Sequence, residues 1–190
     1  TIQHEQEATS GFYFIETGHV KVVRHTTNGQ AHILRFFQAE DTFNEVTIVD
    51  RNVNPATVIA LTDTVVWLFP IADARKLVAH HANLNQTFAR LVTRHSRDLV
   101  VMVEELALAP VQERLARFLL RNAMQNSSDG EDAIPRFFTF EEVANHLGTV
   151  REVVSRHLNR FKKIGVINVQ QDKIVICDKN QLTQIAYANP

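Results

Sequence analysis

The chain has 190 residues, of which 45% are hydrophobic and 22% charged, and its formal net charge is −1. This length suits one large domain or two small ones, and the composition is ordinary for a soluble globular protein. The longest apolar runs, such as LVVMV at 99–103, are far shorter than the roughly 18 residues of a membrane-spanning helix, so we expect no membrane partner.

The sequence contains one cysteine, Cys177. A single thiol excludes internal disulfides and any cysteine-ligated zinc or iron–sulfur site built from the chain, because those sites need several thiolates. We therefore expect a cytoplasmic protein. The chain begins at Thr1 without a signal peptide, and we expect the natural N-terminus to extend further.

Residues 11–69 carry the pattern of many short strands. The Asn28–Gly29 pair predicts a two-residue hairpin turn between two of them. The predicted strands lie in GFYFIETG, HVKVVRH, AHILRFF, EVTIVD, ATVIAL and VVWLFP, with turn-forming segments between them. Short strands at near-regular spacing indicate an all-β barrel, roll or sandwich.

Helical patterns begin after Pro70, first in IADARKLVAHH and then over residues 82–109, which contain no Gly or Pro. A helix of about 25 residues is about 37 Å long, which exceeds the width of a small β domain. The sequence therefore predicts pairing with a second copy of the chain, with packing on the β domain as the alternative. The apolar stripe predicted for the dimer helix is Leu84, Phe88, Leu91, His95, Leu99, Met102 and Leu106.

Pro110, in ALAP at 107–110, predicts a hinge because proline suits the first turn of a new helix. The amphipathic segment VQERLARFLLRNAM then predicts a helix, and QNSSDGEDAIP predicts a flexible, turn-rich stretch. Thr139 and Glu142 have the spacing of a capping box, which predicts a helix of about nine residues ending at Gly148.

Residues 148–163, GTVREVVSRHLNRFKK, place five Lys or Arg and one Glu behind a glycine. Helical spacing turns one apolar stripe inward, consisting of Val154, His157, Leu158, Phe161 and Ile164. Two helices joined by a Gly-containing turn form a helix-turn-helix pattern, in which the second helix enters a DNA major groove. VINV and KIVIC around QQD predict the hairpin of a wing.

Positive charge is concentrated in this half of the chain. Residues 110–190 hold 11 Lys or Arg against 9 Asp or Glu, whereas residues 1–109 hold 9 against 12. A local basic face gains affinity for DNA through counterion release, even when the whole chain is nearly neutral.

The arrangement resembles the CRP/FNR family of bacterial transcription regulators over nearly the whole chain. The resemblance rests on GFYFIETGHVKVVR with its hairpin TTNGQ, DTFNEVTIV, PVQERLARFLL and above all VANHLGTVREVVSRHLNRFKKIGVI. It implies an α+β fold with an N-terminal β-roll of the cyclic-nucleotide-binding type, a jelly roll. It also implies a long dimerisation helix and a C-terminal winged helix-turn-helix. We place these parts at residues 1–80, 81–109 and 110–190.

By this resemblance, Glu152, Ser155 and Arg156 match the E..SR base-reading pattern of the FNR-like branch, and Arg151 matches an arginine of the CRP-like branch. Arginine can donate two hydrogen bonds to guanine, and glutamate can accept one from cytosine. An alternative is that Thr149 and Glu152 form a capping box. The predicted DNA-binding residues are Arg151, Glu152, Ser155, Arg156, Asn159, Arg160, Lys162 and Lys163.

The effector site departs from the family pattern. In cyclic-AMP-binding members a Gly-Glu pair and an Arg-Ser pair hold the ribose and phosphate, and the matching positions here are Asn44, Glu45, Pro55 and Ala56. Proline and alanine lack the guanidinium and hydroxyl that a cyclic phosphate needs, so we do not expect cyclic AMP. The predicted effector pocket consists of Asn44, Glu45, Pro55, Ala56, His95, Leu99 and Val100.

Two cofactors are candidates for this region. An iron–sulfur cluster is not expected with one cysteine in the chain. Haem, as in gas-sensing (NO or CO) relatives, is an alternative, and so is a different small apolar effector or none. The candidate haem ligands are His19, His32, His80, His81 and His95.

A cupin-like metal enzyme is the alternative function of another class. The sequence has neither the His-x-His plus Glu cluster of such enzymes nor a glycine-rich phosphate loop. We therefore expect a homodimeric, allosteric transcription regulator rather than an enzyme. Its expected partners are a palindromic double-stranded DNA operator and, by family resemblance, RNA polymerase.

Overall fold

The computed structural model describes residues 1–26, 31–50, 53–126 and 132–188, which form two compact units, 1–101 and 102–190. The division falls inside the long helix that the sequence predicts. The first unit holds β1 (Gly11–Thr17), β2 (His19–His25), β3 (Ala31–Gln38), β4 (Thr42–Phe43), α1 (Val46–Asp50), β5 (Thr57–Ala60), β6 (Val65–Pro70), α2 (Ile71–His80) and most of α3 (Ala82–Leu108).

Two three-stranded antiparallel sheets build the first unit, in the orders β4-β1-β6 and β3-β2-β5. Alternate residues of β1, namely Gly11, Tyr13 and Ile15, are buried, as expected for a half-buried strand. This confirms the predicted β-roll, and β2 pairs with β3 as the hairpin requires, although the Asn28–Gly29 turn lies outside the described residues. The buried core includes Tyr13, Ile15, Val20, Phe37, Phe43 and Val58.

One predicted strand is wrong: EVTIVD forms the short helix α1. Asn44 adopts a left-handed conformation with φ of 70°, and the backbone N–H of Thr47 and of Ile48 donate to the carbonyls of Asn44 and Glu45. Arg75 then donates to the carbonyls of Thr47 and Ile48 at 2.7 and 3.0 Å. These tertiary and turn interactions override the strand preference of the β-branched residues.

Helix α3 confirms the predicted long helix, and its 27 residues span about 40 Å at 1.5 Å per residue. Two residues of the predicted dimer stripe pack on the β-strands of the first unit, which is the alternative that the sequence left open. The ring of Phe88 meets Phe12 edge-on at 5.8 Å, and the ring of His95 lies 5.9 Å from Phe37. None of the helices in the described ranges is long and apolar enough to cross a membrane.

A different face of α3 is exposed. Its positions alternate four and three residues apart, which is the spacing of a coiled-coil heptad. They are Ala89, Thr93, Ser96, Val100, Val103 and Ala107. We call these six residues the α3 outer face. The predicted stripe and this face are therefore distinct sides of one helix.

The second unit holds the last turns of α3 together with α4 (Val111–Asn126), β7 (Ala133–Pro135), α5 (Phe140–His146), α6 (Arg151–Lys163), β8 (Ile167–Val169), β9 (Lys173–Ile176) and α7 (Lys179–Ala186). The sheet order β7-β9-β8 confirms the wing hairpin and adds a third strand. That strand, β7, lies within the stretch predicted to be flexible, and α7 has no counterpart among the predicted elements. Phe118, Phe161 and Leu182 are among the fully buried side chains.

Candidate nucleic-acid interface

A glycine turn joins α5 to α6. Gly148 has φ of +61°, a conformation that side chains with a β carbon rarely adopt. A β carbon on Gly148 would also lie 3.0 Å from the Leu106 side chain at the end of α3. The backbone N–H of Thr149 donates to the Ala144 carbonyl at 2.9 Å, which closes the turn.

The inward face of α6 anchors it in the second unit. Val154, Leu158 and Phe161 are buried, as the sequence predicts. Ile164 does not belong to this stripe, because it follows the last helical residue and is 47% exposed. His157 is partly buried, and its pKa lies below the ordinary value because of that burial and the nearby charges of Arg156 and Arg160.

The outward face of α6 is polar and basic. Seven of the eight predicted DNA-binding residues line one open, concave surface, whereas Lys162 is exposed but lies outside that lining. The lining residues are Arg151, Glu152, Ser155, Arg156, Asn159, Arg160 and Lys163. The helix thus separates an apolar side that packs from a polar side that faces solvent.

The predicted capping role for Thr149 and Glu152 is wrong. Val150 occupies the N-cap position of α6, and no side chain caps the helix there. Glu152 is therefore not held by a capping interaction. The capping box predicted for α5 is confirmed, because Thr139 accepts from the Glu142 N–H and the Glu142 carboxylate accepts from the Thr139 N–H.

Two neighbouring side chains support this surface and were missed by the sequence reasoning. Gln112 of α4 accepts a hydrogen bond from Arg160 at 3.0 Å. Arg136 donates to the carbonyls of Gln170 and Gln171 at 3.1 Å each, which fixes the turn of the wing. No sequence pattern assigns either side chain to this surface, so only the folded arrangement reveals these contacts.

An exposed helix face of this composition suits DNA. Arginine can hydrogen-bond a guanine edge through two donors, and a carboxylate can accept from the amino group of cytosine. Lysine and the remaining arginines can neutralise phosphates. An α-helix fits the major groove of B-form DNA, and a wing beside it can contact the backbone.

Two family models match the chain: a cyclic nucleotide-binding domain over residues 1–81 and a Crp-like helix-turn-helix domain over residues 113–185. The chain belongs to the CRP/FNR family. It is therefore a CRP/FNR-type transcription regulator with a DNA-binding helix-turn-helix.

Similar CRP/FNR proteins cover most of the chain. The fumarate and nitrate reduction regulatory protein of Escherichia coli K12 is 29% identical over 178 residues, covering 92% of this chain and 70% of the relative. The CRP-like cAMP-activated global transcriptional regulator of Mycobacterium tuberculosis H37Rv is 24% identical over 188 residues, covering 98% and 84%. These relatives are transcription regulators, which agrees with the expectation that the chain is not an enzyme.

The fold has close counterparts among solved structures. FixK2 from Bradyrhizobium japonicum superposes with a TM-score of 0.91 and 20% sequence identity, covering 100% of this chain and 93% of that one. At this identity the likeness concerns the fold, and it supports the β-roll, long helix and helix-turn-helix as arranged along this CRP/FNR chain.

The predicted effector residues of this CRP/FNR chain are brought together only in part. Glu45 is 3% exposed, accepts a hydrogen bond from Thr42 and lies 3.7 Å from Nδ1 of His95. Asn44 is buried beside it, and its amide donates to Thr9, Asn54 and the Gly11 carbonyl. Leu99 and Val100 are exposed and do not join this group.

A cyclic nucleotide does not fit these side chains in the usual manner. Ala56 is buried, and its carbonyl accepts from Gln3, while the Pro55 carbonyl accepts from Arg24 at 2.6 Å. Neither side chain offers a donor for a phosphate, and the Glu45 carboxylate already has partners within the fold. The two positions predicted for the phosphate therefore lack its usual donors.

The candidate histidines are spread over several elements in the described part of the chain. Among the described residues no three His, Cys, Asp or Glu side chains are grouped closely enough to hold a metal ion. His95 faces Glu45, and Nδ1 of His80 lies 2.7 Å from the Lys76 carbonyl. No interaction in the described ranges favours haem over another effector.

Proposed function

We propose that the chain is a homodimeric transcription regulator that reads a two-fold symmetric DNA site through α6. The single observation that supports this most strongly is the polar surface of α6, in which Arg151, Glu152, Ser155 and Arg156 lie together on the side opposite its buried residues. By resemblance Glu152 and Arg156 contact bases and Ser155 assists. Arg151, Arg160, Lys162 and Lys163 serve mainly phosphates.

The DNA site is two-fold symmetric because the proposed dimer is. Two recognition helices related by a two-fold axis read half-sites one helical turn apart, about 34 Å. We assign the pairing to α3, and the bound dimer would act with RNA polymerase in the bacterial cytoplasm, as the family resemblance implies.

We further propose that an effector other than cyclic AMP controls the regulator. Pro55 and Ala56 replace the phosphate-binding pair, and Thr42 and His95 contact the glutamate that would hold a ribose. Such control requires two states of the protein with different affinities for the effector and for DNA.

The test begins with a DNA duplex selected by the wild-type chain from a random-sequence pool. Arg156→Ala is expected to weaken binding to that duplex by about 5-fold to 150-fold, because a bidentate base contact is worth about 1–3 kcal/mol. It should also relax the base preference at one position of each half-site. The measurement is fluorescence anisotropy with the selected duplex and single-base variants of it.

Lys76→Ala is the matched control, since it removes one exposed positive charge from α2 in the first unit. Its affinity and base preference should equal those of the wild-type chain. Unchanged preference in Arg156→Ala would exclude Arg156 as a base-reading residue. A wild-type chain that selects no duplex would overturn the proposed function as a whole.

A further inference from the structure

A buried carboxylate lies in the last turns of α3. Glu105 is 7% exposed, and both of its oxygens accept from Arg121 of α4, at 2.7 and 3.1 Å. Nη1 of Arg117 lies 3.8 Å from the same carboxylate, and Arg117 also pairs with Glu113 at 3.4 Å. We call Glu105, Glu113, Arg117 and Arg121 the Glu105 cluster. A bidentate pair of this kind fixes orientation as well as distance.

The Glu105 cluster spans the segment where the sequence predicts a hinge. Glu105 precedes Pro110 and its partners follow it, so the ion pairs join the end of α3 to α4. The backbone continues through the bend, with the Ala109 N–H donating to the Glu105 carbonyl and the Arg114 N–H to the Pro110 carbonyl, both at 3.1 Å. The last turns of α3 accordingly belong to the compact unit that begins at Met102.

The cluster also reaches two other parts of this unit. Arg117 donates from Nε to the Ala186 carbonyl at 2.7 Å, and its guanidinium lies over the Tyr187 ring at 5.0 Å. Next to Glu105, the Leu106 side chain approaches Gly148 in the turn before α6. The end of α3 is thus held against both the C-terminal helix and the helix-turn-helix.

We propose that Glu105 is a positioning residue for DNA binding, which fixes the end of α3 to α4 so that the helix-turn-helix cannot swing about Pro110. This inference rests on the proposed function, because orientation matters only if two recognition helices read one site. In a dimer joined through α3, the Glu105 cluster then sets the separation of the two α6 helices. Glu105 does not contact DNA, so it acts on the spacing of half-sites and not on their sequence.

The experiment compares two duplexes for each variant: the duplex selected by the wild-type chain, and the same duplex with one base pair inserted at its centre. The wild-type chain should bind the inserted duplex more weakly, because its half-sites are out of register. Glu105→Gln, which keeps the side-chain shape and removes the charge, should reduce this discrimination by about tenfold, within the range expected for residues that modulate coupling. The dependence of affinity on salt should not change, because no phosphate contact is lost.

Glu104→Gln is the matched control, since Glu104 is exposed on the same turn of α3. It should discriminate between the two duplexes as the wild-type chain does. Arg121→Gln should reproduce Glu105→Gln, and the double variant should be no worse than either single one, because all three lack the same ion pair. If Glu105 only stabilised the fold, its replacement would leave the discrimination between the two half-site spacings unchanged.

Each outcome decides the inference. If the wild-type chain discriminates and Glu105→Gln discriminates equally well, the inference is overturned while the proposed function stands. If the wild-type chain selects no duplex, both are overturned. Should Glu105→Gln not fold, Arg121→Lys provides the test, because it keeps the charge of a half-exposed side chain and removes the second hydrogen bond; unchanged discrimination there also overturns the inference.

Discussion

At the scale of single residues, Glu45 and His95 form a contact in which the two side chains are only 3% and 17% exposed. Burial lowers the pKa of His95 below its ordinary value, and it outweighs the opposing effect of the Glu45 carboxylate. The charges of Arg35 and Arg94 lower this pKa further, whereas Asp98 raises it. The His95 ring is therefore neutral in the folded chain at pH values where it is already protonated in the unfolded chain.

This difference predicts a loss of stability in mild acid. The contribution of His95 to folding is fully present above the unfolded pKa of about 6.5 and is lost as the pH falls towards the lower folded pKa, because the unfolded chain then binds more protons. His95→Gln should remove part of the slope of the melting temperature against pH below about 6.5. Thermal melts across this range measure the slope.

His25→Gln provides the control, since His25 is exposed on β2. It should keep the wild-type slope, and part of the slope should persist in His95→Gln because burial also lowers the pKa of His19 and of His157. An identical slope in His95→Gln and the wild-type chain would show that His95 does not titrate differently on folding.

At the scale of elements, the two helices of the helix-turn-helix differ at their N-termini: a side chain caps α5, and none caps α6. Thr139 caps α5 through a reciprocal pair of hydrogen bonds with Glu142, at 3.2 and 2.7 Å. Thr139→Ala should lower the free energy of unfolding by about 1 kcal/mol, the usual cost of losing an N-cap side chain. Denaturant titration measures it. Thr149→Ala is the control and should change stability little, because Val150 and not Thr149 stands at the N-cap of α6.

The sequence predicted elements whose signals are local and missed those that depend on distant contacts. The capping box, the Gly148 turn and the α6 stripe through Val154, Leu158 and Phe161 are each written within a few neighbouring residues, and each is confirmed. The β-branched residues of α1 favour a strand, whereas Arg75 and Asn44 hold the segment as a helix. β7 has three residues and exists through its pairing with β9.

The same reasoning applies to the candidate sites. The polar surface of α6 could be predicted because its residues lie on consecutive turns of one helix. The resemblance places Glu45 and His95 in one pocket, and the structure brings these two side chains within 3.7 Å of each other. The Glu105–Arg121 pair could not be predicted, because it joins two helices whose packing is decided by the whole core. Phe88 and His95 of the predicted dimer stripe contact aromatic residues of the β-strands, and this packing likewise depends on the whole core.

At the scale of the whole molecule, the α3 outer face predicts how two chains pair. Val100 and Val103 are 65% and 66% exposed, although both are apolar and β-branched. Exposed apolar residues at heptad spacing are typical of a helix that packs against a partner helix. Val100→Glu together with Val103→Glu should place like charges in this contact and convert the dimer to a monomer. Analytical ultracentrifugation measures the mass in solution.

Val49→Glu is the control, since Val49 is 70% exposed on α1 and lies outside the α3 outer face. It should leave the mass unchanged. A dimer that persists in the double valine variant would mean that the chains pair through another surface.

The position of Gly148 predicts how a substitution there would behave genetically. Its left-handed backbone strains any other residue, and a β carbon would crowd the Leu106 side chain at 3.0 Å. Gly148 nevertheless lies outside the α3 outer face through which we propose that chains pair. A chain altered at Gly148 would still associate with an intact chain and leave the pair with one working recognition helix. In a cell that carries both alleles, such a mutation would therefore be dominant, whereas a mutation that abolishes pairing would be recessive.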